Sequence, residues 1–114
     1  MDFWVPILSE TDDTIVLNFT QGVLVIGIHP EGEIIQGEHT KLHTVSLRIS
    51  GAKKLRKCIR YGEKFWAKDL GASFWKENST ITIRMRVSGS LEEYIQVRCK
   101  EEDASVFEGV LEYI

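Results

Sequence analysis

Apolar and polar residues alternate through most of the sequence, and this period of two constrains the fold more than any other feature. Residues 14–20 place Ile15, Leu17 and Phe19 on one face, Gln21-Gly22 is a turn signal, and residues 23–29 are apolar on both faces. Strands that are apolar on both faces are typical of the centre of a sheet. The same alternation returns in residues 80–99 around Ser88-Gly89-Ser90. The pattern therefore predicts two antiparallel hairpins, 14–29 and 80–99.

The middle of the chain changes to a helical period. Ala52, Leu55 and Ile59 recur at i, i+3 and i+7, which is the apolar stripe of one helix. Ser50 is a candidate N-cap, and Gly62 suits the left-handed position that ends a helix. This segment predicts a helix of about ten residues.

A second helix is predicted over Glu63–Asn78. Trp66, Leu70 and Phe74 fall at every fourth position, a spacing that also favours a place in the core for the tryptophans. Gly71 lies in the middle of this segment and weakens the helical prediction.

The remaining segments complete the predicted fold. Residues 100–104 are interpreted as an acidic loop and Val106–Ile114 as a last strand. The fold class is thus α+β and β-rich: an antiparallel sheet of about 6–8 strands, with one or two helices within residues 51–77. No repeat or linker is visible, so residues 1–114 are expected to form a single globular domain.

Composition and the cysteines exclude several classes of protein. Of the 114 residues 43% are hydrophobic, which is too many for a disordered chain at a net charge of −3. The start is acidic and lacks the basic and apolar segments of a signal peptide, and no apolar run approaches the length of a membrane helix. A cytoplasmic location away from membranes is predicted. Cys58 and Cys99 are then expected to be free, inert thiols.

Catalytic and metal-binding motifs are weak. His39 and His43 are four residues apart but straddle a loop and a strand, so neither a metal site nor a cofactor is predicted. Histidines that meet only in the folded chain, such as His29 and His43, leave a small enzyme as the second alternative function. Glycine-rich phosphate loops are absent from the sequence.

Charge is distributed unevenly along the chain. Between Lys41 and Arg86 there are 12 basic and 3 acidic residues, whereas the other 68 residues contain 2 basic and 14 acidic ones. The small net charge is therefore the difference between a basic centre and acidic flanks. Such asymmetry points to charge-complementary recognition rather than catalysis.

The acidic flanks provide the main functional hypothesis. An acidic surface suits a basic protein partner, with fast and salt-sensitive association. Small cytosolic immunity proteins or antitoxins that neutralise nuclease-like toxins in a 1:1 complex work in this way, and the chain matches them in size and charge. The predicted partner-binding residues are Glu10, Asp12, Asp13, Glu31, Glu33, Glu101, Glu102 and Asp103.

The basic centre provides the first alternative, an RNA- or DNA-binding domain that uses the helix 52–61. Cations in the first turn of a helix are disfavoured by the helix dipole, so their presence there suggests a ligand. Trp66 or Trp75, if exposed, could stack on a base. The predicted anion-binding surface consists of Lys53, Lys54, Arg56, Lys57, Arg60, Arg84 and Arg86.

Overall fold

The structure is a computed structural model that describes residues 4–29, 43–87 and 89–114. Glu31, Glu33 and His39 therefore lie outside the described residues. Within the described ranges the chain forms two four-stranded antiparallel sheets and two α-helices, which confirms the predicted fold class. The elements are β1 (Val5–Leu8), β2 (Thr14–Thr20), β3 (Val23–His29), β4 (His43–Arg48), α1 (Ile49–Tyr61), β5 (Phe65–Ala67), a 3-10 turn (Lys68–Leu70), β6 (Ala72–Glu77), β7 (Thr80–Arg86), β8 (Tyr94–Arg98) and α2 (Glu101–Tyr113).

The same arrangement occurs twice along the chain. Each sheet has its strands in sequence order and is followed by a 13-residue helix. The first sheet contains β1–β4 and the second contains β5–β8. Helix α1 packs against strands of both sheets, and α2 packs against β1 of the first sheet and β7 of the second. Apolar side chains from both sheets and both helices form one continuous core. The helices thus cover the inner faces of the sheets.

Both predicted hairpins are present. Strands β2 and β3 pair antiparallel up to Thr20 and Val23, which flank a two-residue turn. Gln21 and Gly22 have positive φ angles of 52° and 76°, as the type I′ turn requires. Strands β7 and β8 also pair, although β7 ends at Arg86 and β8 begins only at Tyr94, and Ser88 of the predicted Ser-Gly-Ser turn lies outside the described residues.

The central helix is confirmed. Helix α1 ends at Gly62, whose φ of 70° is the left-handed conformation expected there. Arg48, rather than Ser50, precedes the first turn, and no side chain caps it. The buried residues are those of the predicted stripe: Ala52, Leu55 and Ile59. Neither this helix nor α2, in the part of the chain that the structure describes, is long and apolar enough to cross a membrane.

The helix predicted over Glu63–Asn78 is wrong, because this segment forms β5, the 3-10 turn and β6, and the two strands pair as a hairpin. Of the three residues with helical spacing only Phe74 is buried, while Trp66 and Leu70 are 67% and 45% exposed. Gly71 has a φ of 65° and ends the 3-10 turn. The spacing of four therefore does not mark a buried stripe.

The last predicted strand, Val106–Ile114, is also wrong, as is the acidic loop predicted over residues 100–104. Helix α2 spans most of both segments. Three acidic residues form its first turn, where the partial positive charge of the helix N-terminus favours carboxylates. Its buried side chains recur with a helical period: Ala104, Phe107, Val110 and Leu111.

Candidate nucleic-acid interface

The side of the second sheet that faces away from the helices carries the basic residues of β7. Ile81, Ile83 and Met85 are buried against the core, so the alternate positions of this strand point to the other side. Arg84 is exposed there and Arg86 is half-buried. We call this side of the sheet the outer face.

Cross-strand pairing arranges the outer face in three rows. Neighbouring rows are two residues apart along each strand, or about 7 Å, and neighbouring strands are about 4.8 Å apart. Long side chains in one row can therefore contact those in the next. The rows contain Trp75, Thr82 and Arg98; Trp66, Ser73, Arg84 and Gln96; and Gly71, Arg86 and Tyr94.

Aromatic and cationic groups are interleaved on this face. The Lys64 ammonium lies 4.7 Å from the ring centroid of Trp75. The guanidinium groups of Arg84 and Arg86 lie 4.2 and 6.0 Å from the ring centroid of Tyr94. Such contacts hold the cations against flat apolar surfaces and limit their rotamer freedom. The face thus presents ordered positive charge beside rings that remain accessible to solvent.

Trp66 is the most exposed of these rings, which makes the predicted core position wrong for this residue. It lies on β5 opposite Ser73, on the outer face. Trp75 is half-buried, and its indole Nε1 donates a hydrogen bond to Glu77 Oε2 at 3.3 Å. The exposed alternative that the sequence left open therefore applies to Trp66.

A groove of about 360 Å³ crosses this face, and its floor is made by small residues at the start of β6 and just before it. Gly71 and Ser73 lie between the large side chains of β5 and β7. A Cβ atom on Gly71 would lie only 2.9 Å from the Arg86 guanidinium. The absence of that atom lets the arginine lie close to the sheet. Trp66, Lys68, Arg84, Arg86 and Tyr94 are among the walls.

Two buried polar atoms of the outer face have no hydrogen-bond partner among the described residues, Arg86 Nε and Thr82 Oγ1. Buried donors without a partner are rare in folded proteins because each one costs free energy. The Arg86 backbone, by contrast, is fixed, since its N–H donates to the Gly71 carbonyl at 3.0 Å. Arg86 is thus held in position through its backbone, while its side chain keeps one buried donor without a partner among the described residues.

The basic residues predicted on α1 belong to a different surface. Because the apolar stripe of α1 faces the core on the inner side, its basic side chains cannot join Arg84 and Arg86 on the outer face. Arg60 pairs with Glu112 of α2 at 2.5 Å, which raises the pKa of the arginine and lowers that of the glutamate. Arg56 donates to the Ile114 carbonyl at 3.2 Å. The structure divides the predicted anion surface into two parts. The part on the helix contains Lys53, Lys54, Arg56, Lys57 and Arg60.

Two of the three predicted acidic clusters lie at the same end of the molecule. Ser9 forms a β-bridge with Cys99, and the Leu8 N–H donates to Asp103 Oδ2 at 2.7 Å. This contact places the turn after β1 beside the start of α2. The acidic residues concerned are Glu10, Asp12, Asp13, Glu101, Glu102 and Asp103, and we call this surface the acidic end. Glu10 is also 3.7 Å from Arg98.

The histidine pair considered for catalysis is not assembled. His43 is opposite Ile28 on the buried side of the first sheet, whereas His29, the next residue of β3, points to the other side. No three potential metal ligands converge within the ranges that the structure describes. Cys99 is buried, and burial followed by the charge of Asp103 raises the pKa of its thiol to about 12. Cys58 is half-buried, and its pKa is raised mainly by burial.

Sequence reasoning missed several residues of the outer face. Tyr94 and Arg98 were not candidates, although Tyr94, Gln96 and Arg98 alternate with the apolar residues of β8. That alternation places them opposite Thr82, Arg84 and Arg86 once the hairpin forms. Lys64 and Lys68 were hidden by the helix predicted over that segment.

The fold is similar to that of one chain in a solved structure of a guide RNA-binding protein complex bound to a guide RNA. The TM-score is 0.75 at 13% sequence identity, and the match covers 99% of this chain and 89% of the other. At this identity the likeness shows a shared fold. No protein-family model matches the sequence, and no curated protein matches it. None of these comparisons supports an immunity protein or a toxin partner.

Proposed function

We propose that this protein binds single-stranded RNA on the outer face of the second sheet. The observation that carries the proposal is the interleaving of accessible rings and guanidinium groups on one face of the sheet, where Arg84 and Arg86 lie on β7 between Trp66 on β5 and Tyr94 on β8. Single-strand-binding proteins combine positive charge along the phosphate backbone with aromatic faces on which bases stack. This geometry replaces the basic helix of the sequence-based hypothesis as the binding surface.

Unpaired RNA fits this surface better than a duplex does. Bases in a helix are stacked on one another and offer no free face to Trp66 or Tyr94, whereas bases of a single strand can be splayed onto aromatic rings. The fold shared with a guide RNA-binding complex supports RNA as the nucleic acid.

The test is fluorescence anisotropy of a labelled, mixed-sequence single-stranded RNA as a function of salt. Five cations on or beside the outer face are candidates for phosphate contacts, which predicts that log K falls with log salt with a slope of about −3.5. They are Lys64, Lys68, Arg84, Arg86 and Arg98. A duplex of the same sequence should bind more weakly. If the single strand does not bind at low salt, the proposed function is wrong.

The acidic end supports a second candidate function, recognition of a basic protein. Its two acidic segments are adjacent in the structure although they are far apart in the sequence. Changing Asp12→Lys together with Asp13→Lys is expected to slow association with such a partner and to weaken its salt dependence, because electrostatic steering acts mainly on the on-rate. Stopped-flow association with a partner recovered by affinity purification would measure both quantities.

The same double variant separates the two candidate functions. The acidic end is not part of the outer-face rows, so RNA affinity should not fall when its negative charges are reversed. A protein partner whose on-rate is unchanged in this variant would show that the acidic end is not its docking surface.

A further inference from the structure

The groove on the outer face combines a floor of small residues with aromatic and basic walls. Its volume of about 360 Å³ lies in the range of small-molecule pockets, about 300–1,000 Å³. It exists because Gly71, just before β6, and Ser73 of β6 stand where the neighbouring strands contribute long side chains. Ser73 is 7% exposed, so the floor is already shielded from solvent.

The walls offer two complementary types of contact. Trp66 and Tyr94 supply aromatic faces, and Lys68 and Arg86 supply positive charge to the same groove. The Arg86 guanidinium lines this groove and its backbone is fixed by the Gly71 carbonyl, so an anionic oxygen in the groove would accept a charge-assisted hydrogen bond from it. A simple anion would use only the cations, and an apolar molecule would use only the rings. A nucleotide, with a flat base and a phosphate, would use both.

We propose that this groove is a one-nucleotide site, which takes the base against Trp66 and the phosphate against Arg86 and Lys68, and that a free nucleoside 5′-monophosphate occupies it in competition with the strand. This inference rests on the proposed function for the strand-bound case. Gly71 acts as a positioning residue, because it fixes the Arg86 backbone and leaves space for its guanidinium.

The test compares three probes, AMP, adenosine and inorganic phosphate, as competitors of the labelled single-stranded RNA. AMP is expected to displace the RNA with a Kd of about 1 mM, which suits one stacking contact and one charge-assisted contact. Adenosine and phosphate, each lacking one contact, should be weaker by about tenfold or more. AMP should also quench tryptophan fluorescence, because Trp66 is the exposed indole beside the base.

Two variants test the residues of the site. Arg86→Ala is expected to weaken AMP binding by about tenfold, since a charge-assisted phosphate contact is lost. Gly71→Ala, whose added Cβ would collide with the guanidinium, is expected to weaken it by a similar factor with all charges retained. Circular dichroism would confirm that each variant is folded. The matched control is Lys53→Ala, which removes one charge from α1 and should leave AMP binding unchanged.

The outcomes separate this proposal from the proposed function. RNA binding without any AMP competition at about ten times the expected Kd would overturn the one-nucleotide site and leave the proposed function standing. Phosphate that competes as well as AMP would also overturn it, because the base would then contribute nothing. AMP binding without RNA binding would support the site and overturn the proposed function. Failure of both ligands to bind would overturn both.

Discussion

The double variant Arg84→Ala, Arg86→Ala is expected to lose about 30- to 150-fold in affinity for single-stranded RNA, or about 2–3 kcal/mol, through two charge-assisted phosphate contacts. The guanidinium groups of Arg84 and Arg86 lie 4.2 and 6.0 Å from the centroid of the Tyr94 ring on the outer face. The slope of log K against log salt should fall from about −3.5 to about −2, since two fewer counterions are released. Anisotropy titrations at several salt concentrations would measure both effects.

The matched control is Lys53→Ala, Lys54→Ala, which removes the same amount of charge from α1. These lysines are exposed on the far side of the core from the outer face. Their loss should change the RNA affinity only slightly, through long-range electrostatics that salt screens. An equal or larger loss in this control would locate binding on the basic helix, as the sequence alone suggested.

The change Phe107→Ala is expected to destabilise the protein by about 3–5 kcal/mol, which is the usual cost of a large cavity in a core. Phe107 is fully buried in the cluster that joins both sheets and both helices. Urea denaturation followed by circular dichroism would measure the free energy of unfolding. An unfolded variant would agree with this prediction, because the loss is a large part of the stability of an ordinary domain.

The neighbouring change Val106→Ala is the control. Val106 is 41% exposed on the same helix, and alanine favours the helical conformation, so the free energy of unfolding should change by less than about 0.5 kcal/mol. Residues 106 and 107 would face opposite sides in a strand as well, so this pair of variants does not distinguish a helix from a strand.

The variant Val110→Ala makes that distinction. It should destabilise the protein, because residue 110 shares the buried face of α2 with Phe107. A stable Phe107→Ala variant would contradict the packing of this helix.

Several strands could be predicted because one face of the strand carries apolar residues and the other carries polar ones. In β4 buried residues alternate with exposed ones, and in β7 apolar residues alternate with polar ones; the apolar–polar alternation depends only on local sequence. The β2–β3 hairpin carried the additional signal of Gln21-Gly22, whose positive φ angles few other residue pairs adopt. The helix α1 was predictable for the corresponding reason, a stripe on one side and Gly62 at its end.

The second half of the chain was harder to predict, because the local sequences of β5 and of α2 carry features that are not typical of a strand or of a helix. Trp66 lies on a strand of three residues, too short to show alternation, and its exposure makes its helical spacing with Phe74 misleading. In α2, Gly109 and three consecutive acidic residues resemble a loop when the tertiary packing is unknown. The repeated arrangement of sheet and helix could not be predicted either, because the two halves share their structure and not a visible sequence repeat.

The candidate site was predictable in part. Arg84 and Arg86 were predicted from the basic centre of the sequence. Their neighbours on the outer face depend on the register of β7 with β8, and seven residues separate these two strands in the sequence. The count of charges along the chain also assigned Arg84 and Arg86 to the same surface as the basic residues of α1, because such a count does not show on which side of the molecule a charge lies. The pairing of β7 with β8 places Tyr94 opposite Arg86, and this pairing brings the charged and aromatic side chains together on one surface.

The bridge between β1 and the start of α2 has a consequence for folding during synthesis. The Leu8 N–H donates a hydrogen bond to the carboxylate of Asp103, which is 95 residues later in the sequence. The Lys100 N–H donates a hydrogen bond to the Leu8 carbonyl at 2.9 Å. A ribosome therefore completes the first sheet well before the helix that covers β1 exists. Contacts of such long sequence separation are formed slowly. Until α2 emerges, the inner face of the nascent first sheet lacks its cover at β1, and assistance from a chaperone would act during that interval.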